Sequence, residues 1–477
     1  MLYTSSKFLF FVLILSILYF IFPRKFRKYI ILIGNIIFYS SFNPKSILYL
    51  IITIFVTRVS SYFMEKSKYR KIVFITTIIF NMGLLFFLKF FNYGISIINK
   101  FSGMEKFNTL NFLIPLGISF YILQNVSYLT DIYKGKIKVE KNLLKYILYM
   151  TYFPTIVQGP ITRYGDIAEN LYSANIFEYR RVKFGIQLVI YGFFKKLVIA
   201  DRLGLLVDKV FNNYNNYNGY AIVLATIAFS FQLYADFSGC VDICRGISQV
   251  LGINLMENFK RPYFTKSIKE FWSAWHISLS TWLRDYVYIP LGGSRNGKLR
   301  KYFNIVIVFI ISGLWHGTGI NYIAWGLLHA GYQISEDIIA IPTEKIKNFL
   351  RKNGINTVSI QQLINFFLVS VAWLFFRANG FKVALRMLKS IFIPNNKISY
   401  KLFELGLDKK DFTITIISLL ILYVISFLQS KISVREEIEK MNVLPRWSIY
   451  ILSILSIIIF GVYGGEYDNK IFIYMQF

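Results

Sequence analysis

Cysteine, histidine and acidic residues are scarce in this chain of 477 residues, which has two, three and 25 of them respectively. The two cysteines, Cys240 and Cys244, stand one helical turn apart in "DFSGCVDIC". They are too few for a disulfide framework and, with three scattered histidines, too few for a zinc cluster. They read as small packing residues, and no bound metal is expected. The sequence has no G-x-S-x-G and no H-E-x-x-H, so neither a hydrolase nucleophile elbow nor a zinc-peptidase helix is signalled. The stretch "GGSRNGKL" comes near a phosphate-binding loop, but Leu299 stands where the magnesium-binding Ser or Thr is required. No strand signal precedes it, so it reads as a turn.

Against 25 acids the chain sets 54 lysines and arginines, a net charge of +29. The basic residues lie in short loops between apolar runs and form no continuous stripe, which argues against nucleic acid as a partner. They read as topology signals and contacts for anionic lipid headgroups. Hydrophobic residues make up 55% of the chain and aromatics 18%, with a mean hydropathy of +0.49. That composition belongs to an integral membrane protein. Spans of ~20 residues are needed to cross a hydrocarbon core of ~30 Å, and they are expected to be helical because a helix satisfies its own backbone groups in lipid.

The apolar run at residues 8–22 is followed by "PRKFRK" with no small-residue cleavage site, so it reads as a retained span and not a cleaved signal peptide. Basic segments at 24–28, 66–71 and 134–145 are separated by two apolar runs each time. All three are therefore expected on the cytoplasmic side, with the N-terminus outside. After Lys145 the regularity fails: "YILYMTYFPTIVQGPITRYGD" is short and rich in Pro, Gly and polar groups, and a fourth basic cluster, Arg180, Arg181 and Lys183, follows it. A re-entrant segment enclosed by protein is expected there, since irregular backbone at membrane depth needs such cover. "GFFKKLVIADRL", which holds Asp201, and "FQLYADFSGCVDICRG", which holds Asp236, also place ionisable groups in apolar surroundings. Such residues cost ~3 kcal/mol each on insertion scales, so the middle of the chain is built around something polar. Later spans are expected near 304–329, 363–376, 412–428 and 448–462, making roughly ten to twelve membrane-crossing elements in all. No transporter-like internal repeat is evident.

"FWSAWHISLSTWLRDYVYIPLGG" concentrates aromatics, a histidine and the Arg284-Asp285 pair. On one helix, Trp272, Trp275, His276, Leu279, Trp282, Leu283 and Tyr286 share a face, with Lys269, Ser273, Ser280 and Arg284 opposite. That pattern describes an interfacial helix. His276 on the aromatic face has either a structural hydrogen bond or a site role. In "FIISGLWHGTGINYIAWGLLHAGY", His316 falls ~20 Å into a span starting near Phe303, and a mid-membrane histidine is a functional-site candidate, against the alternative of a packing face. Gly313 and Gly317 form a GxxxG pair that lets a helix or substrate approach. His329 lies about 220° round an ideal helix from His316, so the two are not expected to share a face, and His329 reads as structural or interfacial. With no activated Ser or Cys in evidence, transfer would be direct, with histidine as base.

Seven segments carry a resemblance: "YFPTIVQGPITRY", "KKLVIADRL", "YADFSGCVDICRG", "FWSAWHISLSTWLRDYVYIPLGG", "SGLWHGTGINYIAWGLLHA", "WLFFRA" and "IFIYMQF". In this order they resemble the membrane-bound O-acyltransferase (MBOAT) family, most of all its alginate O-acetylase branch. The resemblance implies an all-α polytopic fold, a single domain over 1–477 around a transmembrane tunnel. It would comprise N-terminal spans (1–133), a catalytic core (134–330) and C-terminal spans (331–477). It implies His316 as the catalytic histidine and His276 as the second, with Asp201, Asp236, Arg284 and Asp285 as supporting candidates. It also implies a plasma-membrane enzyme moving acetyl from cytoplasmic acetyl-CoA to an extracellular polysaccharide, often with an extracytoplasmic acetyltransferase partner. Two departures stand out: Ser273-Ala274 where the family usually carries an arginine before "WH", and Met475 in place of an aromatic. The alternatives are D-alanyl transfer to teichoic acid and, in another class, a glycan transporter or flippase.

Overall fold

A computed structural model describes residues 1–102, 107–110, 114–173, 175–392 and 401–463; Met475 and the "IFIYMQF" tail lie outside them. The described residues contain helices and no strand. The first eight α-helices are α1 (Ser6–Ile21), α2 (Arg24–Ser40), α3 (Ser46–Lys66), α4 (Arg70–Ser102), α5 (Ile118–Tyr133), α6 (Leu143–Thr151), α7 (Phe153–Ile156) and α8 (Tyr164–Tyr172). Next come α9 (Tyr179–Phe193), α10 (Asp201–Asn212), α11 (Tyr220–Val250), α12 (Ile268–Ala274), α13 (Ile277–Leu283), α14 (Gly297–His316) and α15 (Ile320–Ile338). The last are α16 (Ala340–Lys352), α17 (Thr357–Arg377), α18 (Phe381–Phe392), α19 (Lys409–Leu428), α20 (Val434–Lys440) and α21 (Val443–Phe460). Side chains start several of them: the Ser5, Asn142, Ser267 and Asp408 oxygens accept from the Phe8, Lys145, Glu270 and Asp411 amides. These bonds satisfy donors that a helix N-terminus leaves open.

Among the described residues, six helices, α3, α4, α11, α17, α19 and α21, are long and apolar enough to cross a bilayer. Their environments differ. None of α21 is buried, so its Ile and Leu side chains face outward, an arrangement that only lipid tolerates over such a length. The α11 window is 78% buried and forms a protein-enclosed core helix. The chain is an all-α, polytopic membrane protein.

Two compact units are present: residues 1–189 with 241–256, and residues 190–240 with 257–477. In the first unit the three basic segments meet at one end. Arg70 Nη2 donates to the Ile132 and Tyr133 carbonyls at 2.5 and 2.7 Å, while Lys28 Nζ and Asn142 Nδ2 both donate to the Tyr172 hydroxyl, at 3.2 and 2.9 Å. Arg27 donates to the Asn175 carbonyl and Arg181 to that of Ile176, so the fourth cluster lies at the same end.

The irregular stretch after Lys145 is enclosed by protein as its composition requires. Residues 157–162 are buried, and both polar groups of Thr162 find side-chain partners. Tyr149 donates to the Thr162 carbonyl at 2.9 Å and Gln124 to the Thr162 hydroxyl at 3.0 Å. At the preceding break, Asn35 accepts from the Phe153 amide at 3.0 Å and donates to Thr151 at 3.1 Å.

The second unit changes two expectations. Residues 304–329 are not one span: α14 ends at His316, residues 317–319 turn, and α15 returns against it. The helices approach at glycines, since a Cβ on Gly313 would lie 2.5 Å from the Tyr322 carbonyl oxygen and one on Gly326 would lie 2.3 Å from that of Phe309. The helix that Gly313 admits is therefore the other arm of its own hairpin. Similarly, residues 271–286 are not one helix. The chain breaks between α12 and α13 and then passes into a π-helix over Arg284–Tyr288. "GGSRN" is a turn that leads into α14 at Gly297, with Gly292, Gly293 and Gly297 at positive φ.

Candidate active site

His276 sits in the α12–α13 break with φ 42° and ψ 53°, in the left-handed region. Neighbouring backbone imposes that conformation. Asn258, fully buried, accepts the Ile277 amide through its carbonyl at 3.0 Å and the Ser278 amide through its side chain at 2.9 Å, while the Lys260 amide donates to the Ala274 carbonyl at 2.9 Å. Three bonds bracket the residue, so its strain is held by tertiary structure. The sorting of side chains survives the break: Trp275, His276, Leu279, Trp282 and Leu283 are buried, while Lys269, Ser273 and Arg284 are exposed.

From His276 a chain of rings leads through the unit. Phe237 of α11 meets the His276 imidazole edge-on at 4.7 Å, and Trp315 lies 6.1 Å beyond it. Trp315 is 4.8 Å from His316, and Trp325 of α15 lies 5.1 Å from His316 and 5.2 Å from His329. Phe376 of α17 closes the other side of His316 at 5.2 Å. All three histidines are buried. His329 therefore joins the same cluster as His316, contrary to the single-helix expectation, because the turn at 317–319 folds α15 back alongside. Its Nδ1 accepts from Trp272 Nε1 at 3.3 Å, a structural bond of the kind expected for it.

The acidic candidates divide. Asp236, next to Phe237 in sequence, and Asp201 both pair with Lys196, at 2.6 and 2.9 Å. A π-helix over Phe194–Ala200 makes this possible. In an ideal α-helix, residues five apart point about 140° from one another. Here the Asp201 amide donates to the Lys196 carbonyl in an i to i+5 bond, which brings the two side chains together. Beside them Lys195 donates to Ser238 at 2.9 Å. Lys196, the shared cation of these two candidates, is not among the residues singled out from the sequence, though "KK" inside an apolar run with an aspartate five positions on was its signal. Arg284 stands apart: it is exposed, and its Nε donates to the adjacent Asp285 at 2.8 Å.

Burial lowers the His276 pKa to about 3, so this imidazole is neutral at physiological pH. His316 is the last residue of a 20-residue helix, and the carbonyl end of a helix carries partial negative charge. Positive charge developing on its imidazole during proton transfer is favoured there. Trp315, Trp325 and Phe376 keep water from it.

A histidine at a helix end, walled by aromatic rings in a polytopic membrane fold, fits proton transfer in a dry site. The family described as "MBOAT, membrane-bound O-acyltransferase family" matches residues 137–378, a range that contains every residue of this cluster, and the chain belongs to that family. It is a membrane O-acyltransferase. It is 34% identical over 404 residues to "Probable alginate O-acetylase AlgI" of Pseudomonas syringae pv. tomato, across 82% of this chain and 75% of that protein. It is 32% identical over 401 residues to "Peptidoglycan O-acetyltransferase" of Helicobacter pylori, across 77% of this chain and 74% of that protein. To "Teichoic acid D-alanyltransferase" of Bacillus subtilis it is 30% identical over 231 residues, 46% of this chain and 58% of that protein.

Proposed function

We propose that this enzyme, in the plasma membrane with its N-terminus outside, transfers acetyl from cytoplasmic acetyl-CoA for O-acetylation of an extracellular, alginate-like polysaccharide. His316 acts as general base. It takes the proton of an acceptor hydroxyl as that oxygen attacks the thioester carbonyl; the C–S bond then breaks and the thiolate leaves with the proton. His276, neutral and fixed by Asn258, is the second functional imidazole. Lys196, with Asp201 and Asp236, holds the α11 wall on which Phe237 contacts His276. An extracytoplasmic acetyltransferase completes delivery to the polymer.

The observation that carries this reading is the placement of His316 at a helix end, between Trp315 and Trp325. The acetyl donor and the polysaccharide acceptor are supported by similarity to alginate and peptidoglycan O-acetylating relatives over more than three quarters of this chain. The D-alanyl relative matches under half of it. Proteoliposomes holding the purified enzyme, the extracytoplasmic partner and alginate oligosaccharides test the proposal. Labelled acetyl from acetyl-CoA should reach the oligosaccharide, and His316→Ala should abolish transfer at normal protein level. Transfer from a D-alanyl carrier-protein thioester, with none from acetyl-CoA, would reject the donor and favour the teichoic acid reading.

A further inference from the structure

A cavity lined in part by Arg261 opens beside α17 and α19. We propose that it holds one acyl chain of a membrane phospholipid whose anionic headgroup is bound by Arg261. This inference concerns a lipid site and does not depend on the choice of acyl donor or acceptor.

The cavity has a volume of about 290 Å³, near the lower end for small-molecule sites and suited to part of a lipid. Its polarity runs along the membrane helices. Ser359 lies two residues inside the start of α17 and Ser426 two residues before the end of α19; three residues further into each helix, Gln362 and Tyr423 both meet Phe264, which sets the two serines at one end of the cavity. Phe366 and Leu419, each seven residues further into its helix, line the other end, ~10 Å deeper at 1.5 Å per residue. Helices of this kind end at headgroup level, so the polar end faces headgroups and the apolar end faces acyl chains. At the mouth Leu363 is 70% exposed and Tyr423 57%, which opens the cavity sideways between two spans.

Arg261 supplies the charge. Among the described residues its side chain has no hydrogen bond or ion pair, so its cation is available to a ligand. Its backbone is costly as well, with φ 51° and ψ 58° immediately before Pro262. A non-glycine residue is uncommon in the left-handed region, and a following proline disfavours helical conformations further. Glycine would relieve the first penalty, so an arginine here points to a use for its side chain. The walls are pre-built: Tyr263 donates to the Ser230 carbonyl and Gln362 to the Phe264 carbonyl, both at 2.6 Å. The Tyr263 ring also lies 6.1 Å from Trp275, the neighbour of His276, so a bound lipid supports the outer wall of the histidine cluster.

Native mass spectrometry of the full-length protein tests this, with phosphatidylglycerol, phosphatidylcholine of matched chains, and inorganic phosphate alone. The wild type should retain one phosphatidylglycerol in preference to phosphatidylcholine by about fivefold, with inorganic phosphate failing to displace it. Arg261→Gly, which removes the cation and relaxes the backbone, should level the two lipids. Leu419→Trp should exclude both while size-exclusion behaviour stays normal. Equal retention of both lipids by the wild type would overturn the proposal, as would unchanged phosphatidylglycerol retention in the two folded variants. Displacement by inorganic phosphate would overturn the claim that the acyl chain is held.

Discussion

Trp315 packs against both His276 and His316, its ring centroid 6.1 Å from the first imidazole and 4.8 Å from the second. The indole is thus a shared wall of both functional candidates, set against the buried break at His276 and against the end of α14 at His316. Their variants should fail in different ways.

His316→Ala should remove a general-base factor of ~10² to 10⁴ in transfer rate with membrane abundance near normal. His276→Ala should impair transfer strongly and also loosen packing against Phe237. His329→Ala should keep most activity per folded molecule but cost ~2–4 kcal/mol, since it leaves a cavity and strips Trp272 of its acceptor. Polysaccharide acetylation and protein level, measured together in a complemented deletion strain, distinguish the three. Near-normal acetylation by His316→Ala would refute its role as base.

Lys196→Met should destabilise the protein by ~3–5 kcal/mol, because it removes the buried cation that Asp201 and Asp236 share. Adding Asp201→Asn and Asp236→Asn should recover part of that loss. Thermal unfolding in detergent checks both, and a triple variant no better than the single one would show that the ion cluster is not the source.

The depressed His276 pKa sets a pH dependence. The unfolded chain binds a proton on this residue below its ordinary value of 6.5, whereas the folded protein resists until about 3. Stability from this group is therefore complete above pH 6.5 and lost as pH falls toward 3, at up to ~1.4 kcal/mol per pH unit. His276→Gln should flatten the acid limb of the unfolding midpoint between pH 6.5 and 4.5. An unchanged limb would show that His276 is not the group responsible.

The shared end of the basic segments predicts their topology. Cys240 and Cys244 are both buried, so the native background should stay silent to an impermeant thiol reagent. Cysteines placed at Phe26, Tyr69 and Lys136 should all resist labelling from outside intact cells and react after permeabilisation. Labelling of any one from outside would break the assignment.

Most helices were legible because their signal is local. The apolar run at 412–428, for example, emerges as α19, starting at an Asp408 cap, and residues 448–462 as α21. Composition also marked residues 157–163 as irregular and enclosed. The breaks were not legible, for reasons outside the local pattern. Nothing in "SAWHIS" announces a left-handed histidine; Asn258, 18 residues upstream, imposes it. The turn at 317–319 was hidden because a helix continued through "HGTGI" keeps an acceptable hydrophobic period, and only the glycine contacts between α14 and α15 show where the chain reverses. The pairing of Lys196 with Asp201 required a π-turn, which α-helical spacing excludes.

The glycine contacts of α14 make its length a phase setting. Phe309 is fixed opposite Gly326 and Gly313 opposite Tyr322, so one residue inserted between Gly313 and His316 would turn the imidazole about 100° around the axis and push it ~1.5 Å along it. The histidine would keep its helix, its burial and its chemistry while aiming at the wrong wall. Away from the contact glycines Gly313 and Gly326, this hairpin should therefore tolerate substitutions far better than changes of register, and an insertion that leaves the protein folded and abundant should still silence it.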